Sequence, residues 1–318
     1  MKLSILDGYM ATREDLNWNA LSDFAQVEIF DRTPPEKIIE RSIDCDAIFT
    51  NKVPFFKEQI EKLPKLKYIG VLATGYNNVD LQFARERGIV VTNIPAYGTN
   101  SVAQEVFAHI LNISNRIELH SNSVHAGDWC KSSDICYCLT QQTELENLTL
   151  GIIGFGAIGQ KVAQIAEAFE MRVLAYSPSK KMGDLYGKTR IASVEEIFAQ
   201  SDIISLNCPL TSSTEKIINA QNIAKCKHGV WIINTGRGGL IDEYALADAL
   251  KSGVVAYAGV DVLSVEPPVV ENPLLSCSNC FITPHNAWTT QSARKRLIDT
   301  AINNFKAWLS NSPINVVN

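Results

Sequence analysis

The sequence lacks the features that mark membrane proteins, secreted proteins and nucleic-acid-binding proteins. No stretch of its 318 residues approaches the roughly 20 consecutive apolar residues of a membrane-spanning helix. The first residues, MKLSILDGYM, do not form a signal peptide, because Asp7 interrupts the short apolar run. Lys and Arg number 29 against 34 Asp and Glu, so the net charge of -5 provides no basic surface for nucleic acid. We therefore expect a cytoplasmic protein that binds neither membranes nor nucleic acid.

The eight cysteines lack the spacing of a metal site or of a disulfide framework. Cys277 and Cys280 form a CxxC pair, but no second pair of Cys or His residues completes a zinc site. The other cysteines are scattered along the chain, at Cys45, Cys130, Cys136, Cys138, Cys208 and Cys226. We predict no metal, and we expect most of the thiols to be reduced and to pack as small apolar side chains.

What the sequence does contain is a glycine-rich turn between a strand-like run and a helix-forming stretch. Residues 149–161 read TLGIIGFGAIGQK and include Gly154, Gly156 and Gly159. In a dinucleotide-binding turn the first glycine permits the turn, the second lets the backbone approach a pyrophosphate, and the third lets the helix pack on the strand. The phosphates would lie at the positive end of the helix dipole. The flanking strand and helix favour this interpretation over an ordinary tight turn.

Strand-like apolar runs alternate with helical or turn-rich stretches on both sides of this turn. They lie at 2–6, 47–50, 68–72 and 90–93 before it, and at 172–176, 203–206, 229–234, 257–262 and 280–283 after it. Alternation of this kind predicts parallel sheets covered by helices. The residues that precede the glycine turn are more than a connection needs and suffice for a further folding unit. The sequence therefore predicts an α/β protein with two doubly wound domains.

Three polar residues follow predicted strands in the second half of the chain. Arg237 lies in INTGRGGLID, Glu266 in DVLSVEPP and His285 in ITPHNAW. Because the carboxyl ends of parallel strands meet at one edge of a sheet, we expect these side chains to converge. A guanidinium suits a carboxylate beside a carbonyl, since it bonds both oxygens and stays charged. A carboxylate holds a histidine in one orientation and favours its protonated form, which suits a general acid. A surface arginine, a structural histidine and a solvated glutamate are the alternatives.

Taken together, these segments resemble the D-2-hydroxyacid dehydrogenase family, and the resemblance runs nearly end to end. Within that family the chain is most similar to the glycerate dehydrogenase (hydroxypyruvate reductase) branch. Beside the Arg, Glu and His motifs, the matching stretches are LDGY at 6–9, DRTPPEKIIER at 31–41, TNKVP at 50–54, KYIGVLATGYNNVD at 67–80, RGIVVTNIPAYGTNSVAQ at 87–104, and VLSVEPP with NPLL within 262–275.

The resemblance implies two Rossmann-like domains, with the substrate domain built from both chain ends. We expect residues 99–287 to form the dinucleotide-binding domain, and residues 1–98 with 288–318 to form the substrate domain. It also implies hydride transfer between a reduced nicotinamide and the keto carbon of a small 2-oxo acid, hydroxypyruvate or glyoxylate, which yields the D-2-hydroxy acid. In that mechanism His285 protonates the developing alkoxide, Glu266 stabilises the imidazolium, and Arg237 polarises the keto oxygen and holds the carboxylate.

Further site residues follow from the same resemblance. The backbone N–H groups of Thr74 and Gly75, in LATGY, are expected to receive the substrate carboxylate, with Lys52 as a supporting charge. Asp261 matches the family aspartate that hydrogen-bonds the nicotinamide carboxamide. The other residues expected to line the cofactor, beside the three glycines of the turn, are Ala157, Ile158, Cys208, Pro209, Thr235 and Gly236.

One departure from the family concerns the choice of cofactor. An NAD-binding strand usually ends in Asp or Glu, which hydrogen-bonds the ribose hydroxyls. Here the segment reads AYSPSKK, with Ser177 at that position and Lys180 and Lys181 following. Without the carboxylate a 2′-phosphate meets no repulsion, and the hydroxyl and ammonium groups could bind it. We predict NAD or NADP as cofactor, with preference for NADP or use of both; lysines that merely project into solvent are the alternative.

Two other functions stay open at this point. One is another 2-hydroxyacid dehydrogenase, such as phosphoglycerate dehydrogenase, and the other is a dinucleotide-sensing corepressor that needs no proton relay. Formate dehydrogenase is disfavoured, because a Glu266–His285 pair supplies a proton donor and formate oxidation needs none.

The resemblance also implies a homodimer that packs the region 101–128 against its copy. In this region VAQEVFAHILNI has apolar residues at helical spacing and apolar positions on more than one face. A twofold dimer would pack this surface against itself. A helix buried wholly within its own chain is the alternative.

Overall fold

The computed structural model describes the whole chain, Met1–Asn318. Its strands are β1 (Lys2–Ile5), β2 (Gln26–Ile29), β3 (Ala47–Thr50), β4 (Tyr68–Val71), β5 (Val90–Thr92), β6 (Thr149–Ile153), β7 (Arg172–Tyr176), β8 (Leu185–Tyr186), β9 (Thr189–Ile191), β10 (Ile203–Leu206), β11 (Val230–Asn234), β12 (Val255–Val260) and β13 (Cys280–Ile282). Its α-helices are α1 (Tyr9–Thr12), α2 (Lys57–Ile60), α3 (Leu81–Glu86), α4 (Thr99–Asn115), α5 (Ile117–His125), α6 (Ala157–Ala168), α7 (Val194–Gln200), α8 (Ala220–Ile223), α9 (Glu243–Ser252) and α10 (Gln291–Leu309).

The chain divides into two compact units, and the first comprises Met1–Gly98 and Trp288–Asn318. Its sheet has the order β2-β1-β3-β4-β5, and all its pairings are parallel. Every residue of β3 and β4 is buried, as expected for central strands of a parallel sheet covered on both faces. Phe305 of α10 packs against Phe49 and Tyr68, so the C-terminal helix contributes to this core.

Hydrogen bonds also join the two chain ends within the first unit. The buried guanidinium of Arg294, on α10, donates from Nη1 and Nη2 to the two carboxylate oxygens of Asp15, each at 2.7 Å. Close to the C-terminus, the Val317 N–H donates to the Val91 carbonyl at 2.9 Å. A bidentate pair fixes the orientation of both side chains, so α10 is tied to the N-terminal segment in one register.

The second unit comprises Thr99–Ala287. Its sheet has the order β13-β12-β11-β10-β6-β7-β9-β8, and only the short β8 runs antiparallel to its neighbour. Two apolar clusters belong to this unit, one built around β10, β11 and α9 and the other around α4, α6 and β6. The strand order reverses at β6, which lies between β10 and β7. Parallel sheets bind ligands at such a reversal, outside the carboxyl ends of the strands.

The predicted α/β class with two parallel sheets is confirmed, and three strands were not predicted. The first, β2, is an edge strand whose residues are all partly or fully exposed, so its sequence QVEI carries no apolar run. The other two, β8 and β9, form a hairpin that turns at Gly187, where φ is 64°. Short exposed strands of this kind are specified by pairing with a neighbour more than by their own pattern. None of the helices combines the length and apolar character needed to cross a membrane.

Candidate active site

Six strands of the second sheet end level with one another. The register pairs Tyr176 with Ile153, Ile153 with Leu206, Leu206 with Asn234, Asn234 with Val260, and Val260 with Ile282. One residue beyond this row stand Ser177, Gly154, Asn207, Thr235, Asp261 and Thr283. The sheet therefore places six residues, four of them predicted site residues, along a single carboxyl edge. Asn207 and Thr283 were not predicted, because they become neighbours of the others only through this register.

The glycine turn after β6 packs closely against neighbouring backbone. Gly154 adopts φ 101°, and a Cβ there would lie 2.5 Å from the backbone of Asn207 and Cys208. A Cβ on Gly159 would lie 2.1 Å from the Gly154 carbonyl oxygen, so close packing of helix on strand requires glycine. At Gly156 a Cβ would meet nothing within 4 Å. A side chain at Gly156 would project into open space beside the start of α6, where the helix dipole favours an anion.

Behind this turn, two buried polar atoms lie at the sheet edge without a partner. They are Thr235 Oγ1 and Asn207 Oδ1. Buried polar atoms are nearly always hydrogen-bonded, so these two fit contacts with a bound polar ligand. Next to Asn207, burial raises the pKa of the Cys208 thiol to about 11, which keeps it neutral. The polar and apolar groups at this edge, together with the glycine turn, fit a dinucleotide.

The end of β7 carries the residues predicted to select the cofactor. The hydroxyl oxygens of Ser177 and Ser179 lie 3.1 Å apart, and the Lys180 N–H donates to the Ser177 carbonyl at 3.1 Å. The Lys180 ammonium lies 4.4 Å from the ring centroid of Tyr186, on β8. Tyr186 in turn packs edge to face on Phe155 of the glycine turn, with centroids 5.7 Å apart. This cation–π contact holds the Lys180 ammonium against Tyr186, while Lys181 is exposed.

His285 and Glu266 form a close pair. The distance between His285 Nδ1 and Glu266 Oε2 is 2.5 Å, with side chains 25% and 34% exposed. The other carboxylate oxygen, Oε1, accepts the Leu263 N–H at 3.1 Å. A Cβ on Gly238, beside Arg237, would lie 1.9 Å from the Leu263 carbonyl carbon, so glycine is required where these two loops touch. The carboxylate thus bonds backbone on one side and imidazole on the other.

The loop that carries Arg237 is organised by Asn234, the last residue of β11. The buried Asn234 side chain accepts the Gly236 N–H at 3.0 Å and donates to the Arg237 carbonyl at 2.9 Å. The guanidinium itself is exposed and donates to the Gly236 carbonyl at 2.8 Å. Arg237, Glu266 and His285 therefore stand on the loops that follow three adjacent strands, β11, β12 and β13. Asn234 was not singled out from sequence, since an asparagine at a strand end has many uses.

In the first unit, the predicted substrate residues follow β3 and β4. The Thr74 hydroxyl donates to the Ile94 carbonyl at 2.8 Å, so the side chain holds the loop that contains Gly75. Lys52 is exposed, and its backbone N–H donates to Asp7 at 2.5 Å. Asp7 also accepts the N–H groups of Asn51 and Val53, and burial raises its pKa against the effect of these donors. The role of Asp7 as the support of the Lys52 loop was not predicted.

Comparison with known proteins adds the family context. The family model described as D-isomer specific 2-hydroxyacid dehydrogenase, NAD binding domain, matches residues 107–287. A hydroxypyruvate reductase from Blautia hydrogenotrophica is 46% identical, with 100% of both chains covered. A glycerate dehydrogenase from Methylorubrum extorquens is 40% identical over 89% of this chain and 88% of its own. Among solved structures, an acyclic imino acid reductase in complex with NADPH and D-Arg is 32% identical, with a TM-score of 0.87 and 100% of both chains covered.

Proposed function

The chain belongs to the D-isomer-specific 2-hydroxyacid dehydrogenase family, and we propose that it reduces hydroxypyruvate or glyoxylate to the D-2-hydroxy acid. Its relatives confirm the prediction of an NAD(P)-dependent dehydrogenase. They favour an enzyme over the alternative of a dinucleotide-sensing corepressor. The observation that carries the proposal is the 2.5 Å pair of His285 and Glu266, on loops that follow the two strands next to the strand that precedes Arg237. We assign the cofactor to the second unit and the substrate-domain role to the first.

When bound, the reduced nicotinamide supplies a hydride to the keto carbon of the substrate. The protein's own part is to hold the 2-oxo acid and to deliver a proton. Since His285 Nδ1 is bonded to Glu266, Nε2 is the nitrogen that gives its proton to the keto oxygen as negative charge develops there. Glu266 stabilises the imidazolium, and Arg237 binds the carboxylate and polarises the keto oxygen. In the first unit, we assign further contacts to the substrate carboxylate to the backbone N–H groups of Thr74 and Gly75 and to the charge of Lys52.

Gly154, Gly156, Gly159 and the first N–H groups of α6, at Ala157 and Ile158, would hold the pyrophosphate. The strand ends beyond them, which contribute Cys208, Pro209, Thr235, Gly236 and Asp261, would line the adenosine and nicotinamide portions. This assignment rests on the glycine close contacts and on the unpartnered Thr235 hydroxyl. Polar atoms that lie buried without partners in the protein gain hydrogen bonds when a polar ligand binds beside them.

We propose that NADPH serves at least as well as NADH. Ser177 replaces the usual acid at the end of β7, and the ammonium of Lys180, three residues further along the chain, is held against the Tyr186 ring. An ordered ammonium loses less conformational entropy when it pairs with a phosphate. Lys180 is therefore a better candidate for the 2′-phosphate than the exposed Lys181. The bound NADPH of the imino acid reductase is consistent with use of this cofactor on the same fold.

A homodimer is part of the proposal, and we assign its surface to α5, within the predicted region 101–128, and to the segment that follows α5, rather than to α4. The apolar residues of α4 are buried against α6 and β12 of their own unit, so that helix needs no partner to cover them. By contrast, α5 has no buried residue, and Ile135, in the segment that follows it, is 92% exposed. With Ile117, Trp129 and Leu139 also exposed, this segment offers a second copy an apolar surface.

The test is a matrix of initial rates. Oxidation of NADH and of NADPH would be measured with hydroxypyruvate, glyoxylate, pyruvate and phosphohydroxypyruvate. We expect the highest kcat/KM for hydroxypyruvate or glyoxylate, with NADPH at least equal to NADH. A highest kcat/KM for phosphohydroxypyruvate would instead identify a phosphoglycerate dehydrogenase, and no turnover of any 2-oxo acid would refute the proposal.

A further inference from the structure

We propose that Thr283 and His109 are positioning residues, which hold the Asp261 carboxylate so that the turn after β13 presents His285 in its working orientation. This inference rests on the proposed function, because it takes His285 to be the proton donor. Neither Thr283 nor His109 touches the proposed reacting atoms. The contacts that support the inference all lie within the second unit, between α4, β12 and the turn after β13.

Asp261 holds three consecutive backbone N–H groups of that turn. Its carbonyl oxygen accepts the His285 N–H at 2.8 Å, Oδ1 accepts the Asn286 N–H at 2.9 Å, and Oδ2 accepts the Ala287 N–H at 3.0 Å. The residue is 1% exposed, so water does not compete for these bonds. The turn that carries the proton donor is thus held by the buried carboxylate and the backbone carbonyl of Asp261.

The donors that reach this carboxylate can be ordered along a chain. The Thr283 hydroxyl lies 2.7 Å from Asp261 Oδ1, and an ionised carboxylate only accepts, so the single hydroxyl proton points to Asp261. The Thr283 hydroxyl oxygen also lies 3.3 Å from His109 Nε2. Because the hydroxyl proton already points to Asp261, His109 Nε2 must be the donor in this second contact. The direction is His109 to Thr283 to Asp261. A threonine that receives one hydrogen bond gives a stronger one.

His109 is buried in the core, where its ring reaches the Thr283 hydroxyl. Its side chain is 4% exposed on α4, and burial lowers its pKa, which favours a neutral ring with one N–H. A Cβ on Gly259, two residues before Asp261, would lie 2.7 Å from the His109 Cβ, so glycine lets the helix approach β12 this closely. The other acid near the ring is Glu105, whose Oε1 is 3.8 Å from Nε2, too far for a hydrogen bond.

The backbone conformation of His285 explains why the turn needs these hydrogen bonds. His285 adopts φ 50°, in the left-handed region that residues other than glycine seldom occupy. Such a conformation persists only when its surroundings over-determine it. If the Asp261 carboxylate is freed to rotate, the turn loses the bonds to residues 286 and 287, and the imidazole is no longer aimed from Glu266 toward the substrate.

The test replaces Thr283 with Val, which removes the hydroxyl at nearly constant volume, and with Ser, which restores it. We expect Thr283→Val to lower kcat for hydroxypyruvate at least about tenfold, the worth of one hydrogen bond to a charged group, with a KM for hydroxypyruvate within about twofold of the original protein, because Arg237 is left unchanged. Thr283→Ser should recover most of the lost kcat. Thr189→Val is the matched control. Thr189 lies on another strand of the same sheet, β9, and its buried hydroxyl donates to the Glu167 carboxylate at 3.0 Å.

A double variant separates positioning from other effects. If Thr283 acts through His285, adding Thr283→Val to His285→Ala should cause less than about twofold further loss, since residues that act as a unit are non-additive. An independent loss of about tenfold in that background would overturn the proposal, as would a normal kcat in Thr283→Val while His285→Ala is impaired. A near-normal rate in His285→Ala itself would instead refute the assignment of the proton donor.

Discussion

The replacement Glu266→Gln tests the charge in the His285 pair while it keeps the shape of the side chain. Gln retains an oxygen that can accept from Nδ1, so the ring can keep its orientation, but the negative charge is lost. The hydrogen bond concerned is 2.5 Å long, and the two side chains are 25% and 34% exposed. A hydrogen bond to a charged group is worth about 1.5 to 3 kcal/mol in general. Partial solvent screening places this pair at the lower end.

We therefore expect a loss of about 1.5 kcal/mol of transition-state stabilisation, which is close to a tenfold fall in kcat. The assay is the steady-state reduction of hydroxypyruvate. Glu271→Gln, at an exposed position on the same connection between β12 and β13, is the control. A kcat within twofold of the original protein would remove Glu266 from the relay.

Four further outcomes are expected. His285→Ala should lower kcat about a hundredfold or more, as expected for removal of a general acid, while cofactor binding followed by nicotinamide fluorescence stays nearly the same; a near-normal rate would exclude His285 as the donor. Ser177→Asp should shift the ratio of NADPH to NADH kcat/KM toward NADH, because the carboxylate accepts from the ribose and repels the phosphate; an unchanged ratio would show that Ser177 does not lie beside the ribose. Light scattering at micromolar concentration should give the mass of a dimer, and Ile135→Lys should weaken the assembly because it places a charge on its exposed apolar surface; a monomeric original protein contradicts the dimer. Gly259→Ala should lower the free energy of unfolding by about 1 to 3 kcal/mol, because the added methyl group would overpack against His109. An unchanged melting temperature would show that α4 can move away to accommodate the methyl group.

Local sequence patterns were sufficient to predict a large part of the fold and of the candidate site. The glycine turn could be predicted because strand, turn and helix are contiguous, and Gly154 and Gly159 do stand where a Cβ would clash with backbone. Most strands of both sheets are continuous apolar runs, since parallel strands are buried on both faces, and that pattern needs no partner to be recognised. Arg237 and His285 could be singled out because each follows such a run directly.

The tertiary structure decided which polar residues meet. Asn207 and Thr283 become part of the site only because the register of six strands brings their ends level, and register is set by the packing of whole strands. The approach of His109 to Thr283 depends on how closely α4 packs on Gly259, a contact between residues far apart in the chain. The sequence by itself thus determined most of the strands and the residue types of the chemistry. Long-range packing determined the supporting hydrogen bonds, because no local pattern specifies which strand end or helix face lies beside another.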